Sequence, residues 1–179
     1  SGEASELKTI SAEIVVNCAG LWGHQVGKMA GVNVPLHAAE HFYIVTENIG
    51  LPSTLPVLRD PSSWIYAKED AGKMLVGCFE PKSKPRPLNT IPEDFSFGQF
   101  EEDWEHFEPA MLNAMHRIPK LEDAGIHTFF NGPESFTPDD RYILGEAPEL
   151  KNFYVAAGLN SIGIQSAGGA GKVLSEWIV

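Results

Sequence analysis

The segment that most constrains this chain follows Pro35 and runs from Leu36 to Glu47. His37, Ala39, His41, Tyr43 and Val45 fall on one face of an extended chain, and Ala38, Glu40, Phe42, Ile44 and Thr46 on the other, because side chains alternate along a strand. An extended segment this long must pair its backbone groups with neighbours, so the chain is committed to a sheet. Trp64–Ala67 reads as one further strand and Met74–Phe79 as another, joined in a hairpin by a turn at Asp70-Ala71-Gly72. Pro52, Pro56 and Pro61 break the stretch before them into short pieces, with Leu55–Leu58 as a possible strand. Residues 80–98 hold several prolines and few aliphatics and read as a long surface loop.

From Phe100 the period changes. Phe100, Trp104, Phe107, Met111, Met115 and Ile118 fall on one helical stripe, with Glu101, Glu102, Asp103, Glu105 and Glu108 off it. The stripe reads as core, and Pro109 is expected to kink the helix or to start a second one. Strands are expected at about 126–131, 142–144 and 153–157, and a closing helix from about Ser166 to Ile178. Near the start, Ile10 to Cys18 reads as a buried strand that closes on the small residues Ala19 and Gly20; a helix follows from Leu21 to Ala30, with Gly31 as its stop. That order suits a nucleotide-contacting crossover or an ordinary β–α connection equally. The fold class is α+β, a mostly antiparallel sheet flanked by helices, with α/β character only at the two ends.

Charge narrows the function classes. Among 179 residues, 24 Asp and Glu outnumber 13 Lys and Arg, a formal charge of −11, which argues against a nucleic-acid or anionic-membrane surface. No apolar run approaches the roughly 20 residues of a membrane helix, and the polar opening Ser1–Glu6 lacks the layout of a signal peptide. Cys18 and Cys78 make no disulfide framework and no CxxC pair, which favours a reducing compartment. Ser1-Gly2 reads as a processing scar, the first strand arrives almost at once and the last element runs apolar to Val179; the chain is expected to be a piece of a longer one.

Two motifs invite chemistry that their context denies. His37-Ala38-Ala39-Glu40-His41 fits HxxEH, a zinc-hydrolase pattern that needs a helix to bring both imidazoles together. On a strand they stand about 13 Å apart with Glu40 on the opposite face, so no metal is expected. Gly168-Gly169-Ala170-Gly171-Lys172 suggests a phosphate loop, but Ser166 and Val173 occupy positions that loop needs as Gly and as Ser or Thr. Gly158-Leu159-Asn160-Ser161-Ile162-Gly163 after an apolar strand is different. It fits backbone approaching a flat or anionic ligand, or a tight turn with close helix–sheet packing.

Together the separated strings resemble a known family. Val15-Val16-Asn17-Cys18-Ala19-Gly20-Leu21-Trp22 resembles a flavin-contacting turn of the D-amino-acid-oxidase-like superfamily. Gly132–Asp139, Gly145–Leu150, Gly158–Ser161, Gly168-Gly169 and Trp177-Ile178 extend the likeness to the dimethylglycine and sarcosine dehydrogenases, from about Ile10 to Val179. The resemblance implies residues 1–32 and 141–179 as parts of an FAD domain and 33–140 as a substrate domain. It implies FAD taking a hydride from the N-methyl carbon of a small amine, such as sarcosine or dimethylglycine, to leave an iminium. Electrons would then pass to a flavoprotein or oxygen, and a folate-binding domain would capture the one-carbon unit.

By the same likeness His41 and Tyr66 line the amine pocket as catalytic residues, where the residues alone also fit a hydrogen-bonded sheet histidine and a core aromatic. Trp64, read as sharing a strand face with Tyr66, suits the wall of a methylammonium pocket and the core equally. Ala19, Gly20 and Trp22 would lie near the flavin, the first two at its diphosphate or ribityl chain. Gly158, Leu159, Asn160, Ser161, Ile162 and Gly163 would approach the isoalloxazine, with a helix start at Ser166–Gly169 adding its dipole. The family's GxGxxG turn, its flavin-bonding histidine and its folate domain lie outside these residues, so the chain alone is expected to bind FAD weakly or not at all and to turn nothing over. Pro35–Tyr43 and Glu102–Pro109 also resemble the regulatory subunit of pyruvate dehydrogenase phosphatase, an alternative without catalysis. Bacterial cytoplasm and mitochondrial matrix both suit the cysteine usage.

Overall fold

The structure, a computed structural model, describes residues 8–179; the readings of Ser1-Gly2 and of the polar opening lie outside the described residues. In chain order the elements are β1 (Val15–Asn17), α1 (Gly23–Met29), β2 (His37–Thr46), β3 (Leu58–Asp60), β4 (Ile65–Asp70), β5 (Lys73–Cys78), β6 (Pro85–Arg86), α2 (Trp104–Arg117), β7 (Ile126–Phe136), β8 (Ile143–Glu146), β9 (Phe153–Ala157) and α3 (Gly163–Ile178). The fold is mixed, with mostly antiparallel pairing and few helices, as the periodicities predict. Two units divide the chain: one is the continuous stretch His37–Glu134, and the other combines the residues up to Leu36 with Ser135–Val179.

In the continuous unit the strand order is β3-β4-β5-β2-β6, with β7 also pairing β2. The expected hairpin is β4–β5, turned by Ala71 and Gly72 at φ 51° and 81°. Phe42, Ile44, Ile65, Ala67, Val76 and Cys78 form one sheet face, buried against Phe107, Ala110 and Ala114 of α2 with Leu121 and Phe129. Each large apolar side chain so buried contributes about 1.5–3 kcal/mol. The HxxEH segment lies on β2, as its alternation requires, and among the described residues no group of three His, Cys, Asp or Glu is placed to hold a metal.

Four expectations for this unit need correction. Trp64 is not in a strand: Asp60 accepts from Ser62 N and Ser63 Oγ, both at 3.1 Å, and winds Pro61–Ser63 into a 3-10 turn. Trp64 ends that turn at φ 60°, so it shares no strand face with Tyr66. Strand β3 starts only at Leu58, because Pro52 and Pro56 lack N–H donors and Leu55 N closes a turn on Pro52 O. The loop at 80–98 contains β6, which is drawn onto β2 where Arg86 meets the buried Glu40. Phe100 lies before α2, which Asp103 caps by accepting from His106 N. Pro109 lies inside α2 and starts no second helix, since the bond it forgoes is to Glu105 O on the exposed first turn.

The other unit is built on β9, parallel to β1 and antiparallel to β8. Helix α1 packs closely because Gly27 has no side chain; a Cβ there would stand 2.6 Å from Val34 Cγ2. Val15 and Val16 are about half-exposed rather than buried, since among the described residues β1 pairs only with β9 and its outer side is uncovered. Helix α3 begins at Gly163, three residues before the expected start, because the preceding loop closes on itself through Ile162 N to Leu159 O.

Candidate active site

The continuous unit carries an aromatic and acidic cluster on the sheet face opposite α2. Alternation places His41 and Tyr43 of β2 there, beside Tyr66 of β4. Gly77 pairs with Tyr43 on one side and Tyr66 on the other, so the three form one row across three strands. A Cβ on Gly77 would stand 2.2 Å from the Tyr66 phenol; only glycine lets that ring lie across β5. Phe79 joins the cluster, its centroid 5.6 Å from those of both His41 and Tyr66. The structure thus brings the two predicted catalytic residues together around one ring.

Two carboxylates that sequence reasoning missed complete the cluster. His41 Nδ1 lies 3.8 Å from Glu80 Oε2 and 3.7 Å from Glu134 Oε2. Glu80 is nine-tenths buried, its Oε1 is without a hydrogen-bond partner, and the Cys78 thiol donates to its Oε2 at 3.5 Å. Burial, followed by the charges of Cys78, Glu134, Tyr43 and Glu80, pushes the Tyr66 phenol up to about 12. Burial and Glu80 likewise push the Cys78 thiol up. Both therefore stay protonated at neutral pH, and Tyr66 is a hydrogen-bond donor rather than a base. Trp64 instead lines a cleft of about 320 Å³ with Glu80, Glu105 and His106.

The other unit presents two loops at the carboxyl ends of the parallel pair β1–β9, the place where sheets of this kind hold ligands. After β1, Asn17 Oδ1 accepts from Ala19 N at 3.2 Å while its Nδ2 donates to Gly23 O at 2.8 Å, which fixes the turn that carries Ala19, Gly20 and Trp22. Gly20 has φ 56° and open space where a Cβ would stand. After β9, Gly158, Asn160 and Ser161 all have positive φ. Holding Asn160 and Ser161 there costs about 1–3 kcal/mol each. The Asn160 amide is locked to Thr137, accepting from its N at 2.9 Å and donating to its Oγ1 at 3.0 Å. A Cβ at Gly158 would strike Thr137 Cγ2 at 2.3 Å, so close packing and loop geometry coexist. The two loops adjoin: a Cβ at Gly23 would stand 3.6 Å from Ala157 and 3.7 Å from Asn17 Oδ1.

These features fit a dinucleotide cofactor. Backbone is exposed at Gly20, the 158–162 loop is tied to Thr137 through the Asn160 amide, and the first turn of α3 has no side-chain cap to occupy its N–H groups. That helix end lies at Gly163, not at Ser166–Gly169 as expected, and Gly168 and Gly169 face open space within the helix.

A fold of this kind is shared with solved oxidoreductases: L-proline dehydrogenase from P. horikoshii superposes with a TM-score of 0.75 at 22% identity, over 93% of this chain and 42% of that one. The family model described as FAD dependent oxidoreductase matches residues 2–177, and the chain belongs to that family. Among curated relatives, 4-methylaminobutanoate oxidase (formaldehyde-forming) of Paenarthrobacter nicotinovorans is 43% identical over 99% of this chain and 22% of its own length. Human mitochondrial sarcosine dehydrogenase is 41% identical over 100% and 19%. The mouse mitochondrial pyruvate dehydrogenase phosphatase regulatory subunit is 38% identical over 100% and 21%. The chain thus spans about a fifth of the length of these relatives. No helix among the described residues is long and apolar enough to cross a membrane.

Proposed function

We propose that this chain supplies the amine-recognising face and two flavin-side loops of an enzyme that oxidises a small N-methyl amine of the sarcosine or dimethylglycine class. The observation that carries the reading is the convergence of His41 and Tyr66 on one sheet face, around Phe79 and beside two carboxylates. The names of the relatives at 43% and 41% identity support it. Residues 33–140 are assigned to the substrate side and 1–32 with 141–179 to the flavin side.

Bound FAD supplies the two-electron acceptor: the hydride leaves the N-methyl carbon and the nitrogen lone pair closes the C=N bond of the iminium. The chain's share is to prepare that carbon. An amine gives up hydride only when its nitrogen has a free lone pair, so His41 takes the ammonium proton, a role imidazole suits near neutral pH. Tyr66, still a phenol, donates a hydrogen bond to orient the substrate. Ala19, Gly20 and Trp22 after β1, and residues 158–163 with the start of α3 after β9, are the residues that would hold the cofactor.

Reoxidation is assigned to a flavoprotein or to oxygen, capture of the one-carbon unit to a folate-binding domain, and the compartment to bacterial cytoplasm or mitochondrial matrix. Residues 1–179 alone are assigned weak or no FAD binding. A second reading, a regulatory protein without turnover, rests on the 38% identity to the phosphatase subunit.

The test is an anaerobic visible spectrum of the polypeptide as encoded, with any segments flanking these residues, before and after sarcosine and then dimethylglycine. Bleaching of a flavin band is expected, slowed about 100- to 10,000-fold by His41→Ala. A band that neither amine bleaches removes the substrate assignment, and a protein without flavin favours the regulatory reading.

A further inference from the structure

Nδ1 of His41 faces two carboxylate oxygens, Glu80 Oε2 at 3.8 Å and Glu134 Oε2 at 3.7 Å. An ionised carboxylate is an acceptor only. A neutral imidazole with its Nδ1 lone pair turned toward two such oxygens would set like charge against like, whereas a proton on Nδ1 turns the same contacts attractive. We infer that Glu80 and Glu134 are positioning residues that hold neutral His41 as its Nδ1–H tautomer, so that Nε2 is the nitrogen that takes the substrate's proton. The inference rests on the amine-oxidation reading for its use of Nε2, but not for the tautomer itself.

Other groups around the ring are held in roles of their own. Tyr66 and Cys78 keep their protons at neutral pH, and Tyr43 stacks on Phe130 with centroids 4.7 Å apart. The Arg59 guanidinium sits over Phe79, 4.6 Å from its centroid. Glu80 is fixed by burial and by the Cys78 thiol, so its carboxylate cannot simply swing away when His41 takes up a second proton. The imidazolium that forms then lies between two anions, which is how a base recovers the cost of charging in a site of low polarity.

The test is nitrogen-15 NMR of the His41 side chain in the labelled protein, at a pH where the imidazole is neutral. Expected is a protonated-nitrogen signal from Nδ1 and a lone-pair signal from Nε2, reversed in the Glu80→Gln/Glu134→Gln double variant. An Nε2–H tautomer in the wild type overturns the inference, and so does a double variant that folds with its tautomer unmoved. If the double variant does not fold, the wild-type spectrum alone decides. In the flavin-loaded protein, Glu80→Gln is expected to lower kcat about tenfold to a hundredfold, with KM unchanged. A protein that no N-methyl amine reduces, yet whose His41 shows the Nδ1–H signature, overturns the amine reading and leaves the tautomer assignment standing.

Discussion

At the scale of the residue, Tyr66 shows how placement sets chemistry. Its ring lies across Gly77 and its phenol is pushed from 10.0 up to about 12, by burial first and nearby charges second. The native state therefore keeps this proton longer than the unfolded chain does. The stability so contributed is complete below pH 10 and is lost as pH rises through about 12. Between about pH 9 and about pH 11, the wild type should lose about 1.4 kcal/mol more stability than Tyr66→Phe, as urea titrations at the two pH values will show. Legibility was uneven at this scale. Alternation and resemblance pointed to His41 and Tyr66, but Glu80 sat in a proline-rich stretch without a periodic pattern. Glu134 lay inside a matched string with nothing to mark its role. Their approach to Nδ1 is made by tertiary packing, which no local pattern encodes. Gly77 was the readable hint, since glycine inside a strand marks a close approach.

At the scale of the element, β2 carries opposite duties on its two faces. His41 belongs to the chemical face, whereas Glu40 is 1% exposed and meets Arg86 Nε at 2.6 Å and Asn131 Nδ2 at 2.8 Å, with Lys84 Nζ at 3.7 Å. A buried carboxylate stripped of its main partner is costly. Arg86→Met should destabilise the protein by on the order of 3 kcal/mol, and a Glu40→Met/Arg86→Met double variant should recover much of that in urea denaturation. This ion pair also explains why β6 forms where proline content suggested only loop. The long periodic elements were legible because burial on one face imposes their periods. The short ones were decided by individual contacts, such as Asp60 capping the turn before Trp64.

At the scale of the whole molecule, the α+β class and the mostly antiparallel pairing were legible, because strand and helix periods differ along the chain. The periodicities alone do not divide the chain into a continuous and a discontinuous unit, since that depends on which distant segments pair. Only the resemblance drew such a division, at about 33 and 140, where the structure has it at 37 and 134. The continuous unit contains its entire apolar cluster between Phe42 and Phe129. Residues 37–134 expressed alone should therefore fold cooperatively, with a sigmoidal thermal melt and dispersed amide NMR signals; a non-cooperative melt would contradict this. The parallel pairing of β1 with β9 has a different consequence, one of timing. During synthesis β1 leaves the ribosome early, but its partner follows only after the whole of β2 to β8 has been made. The continuous unit can be finished while β1 still waits. The paired carboxyl-end loops do not exist until β9 has emerged, so whatever they hold is loaded after the continuous unit has been made.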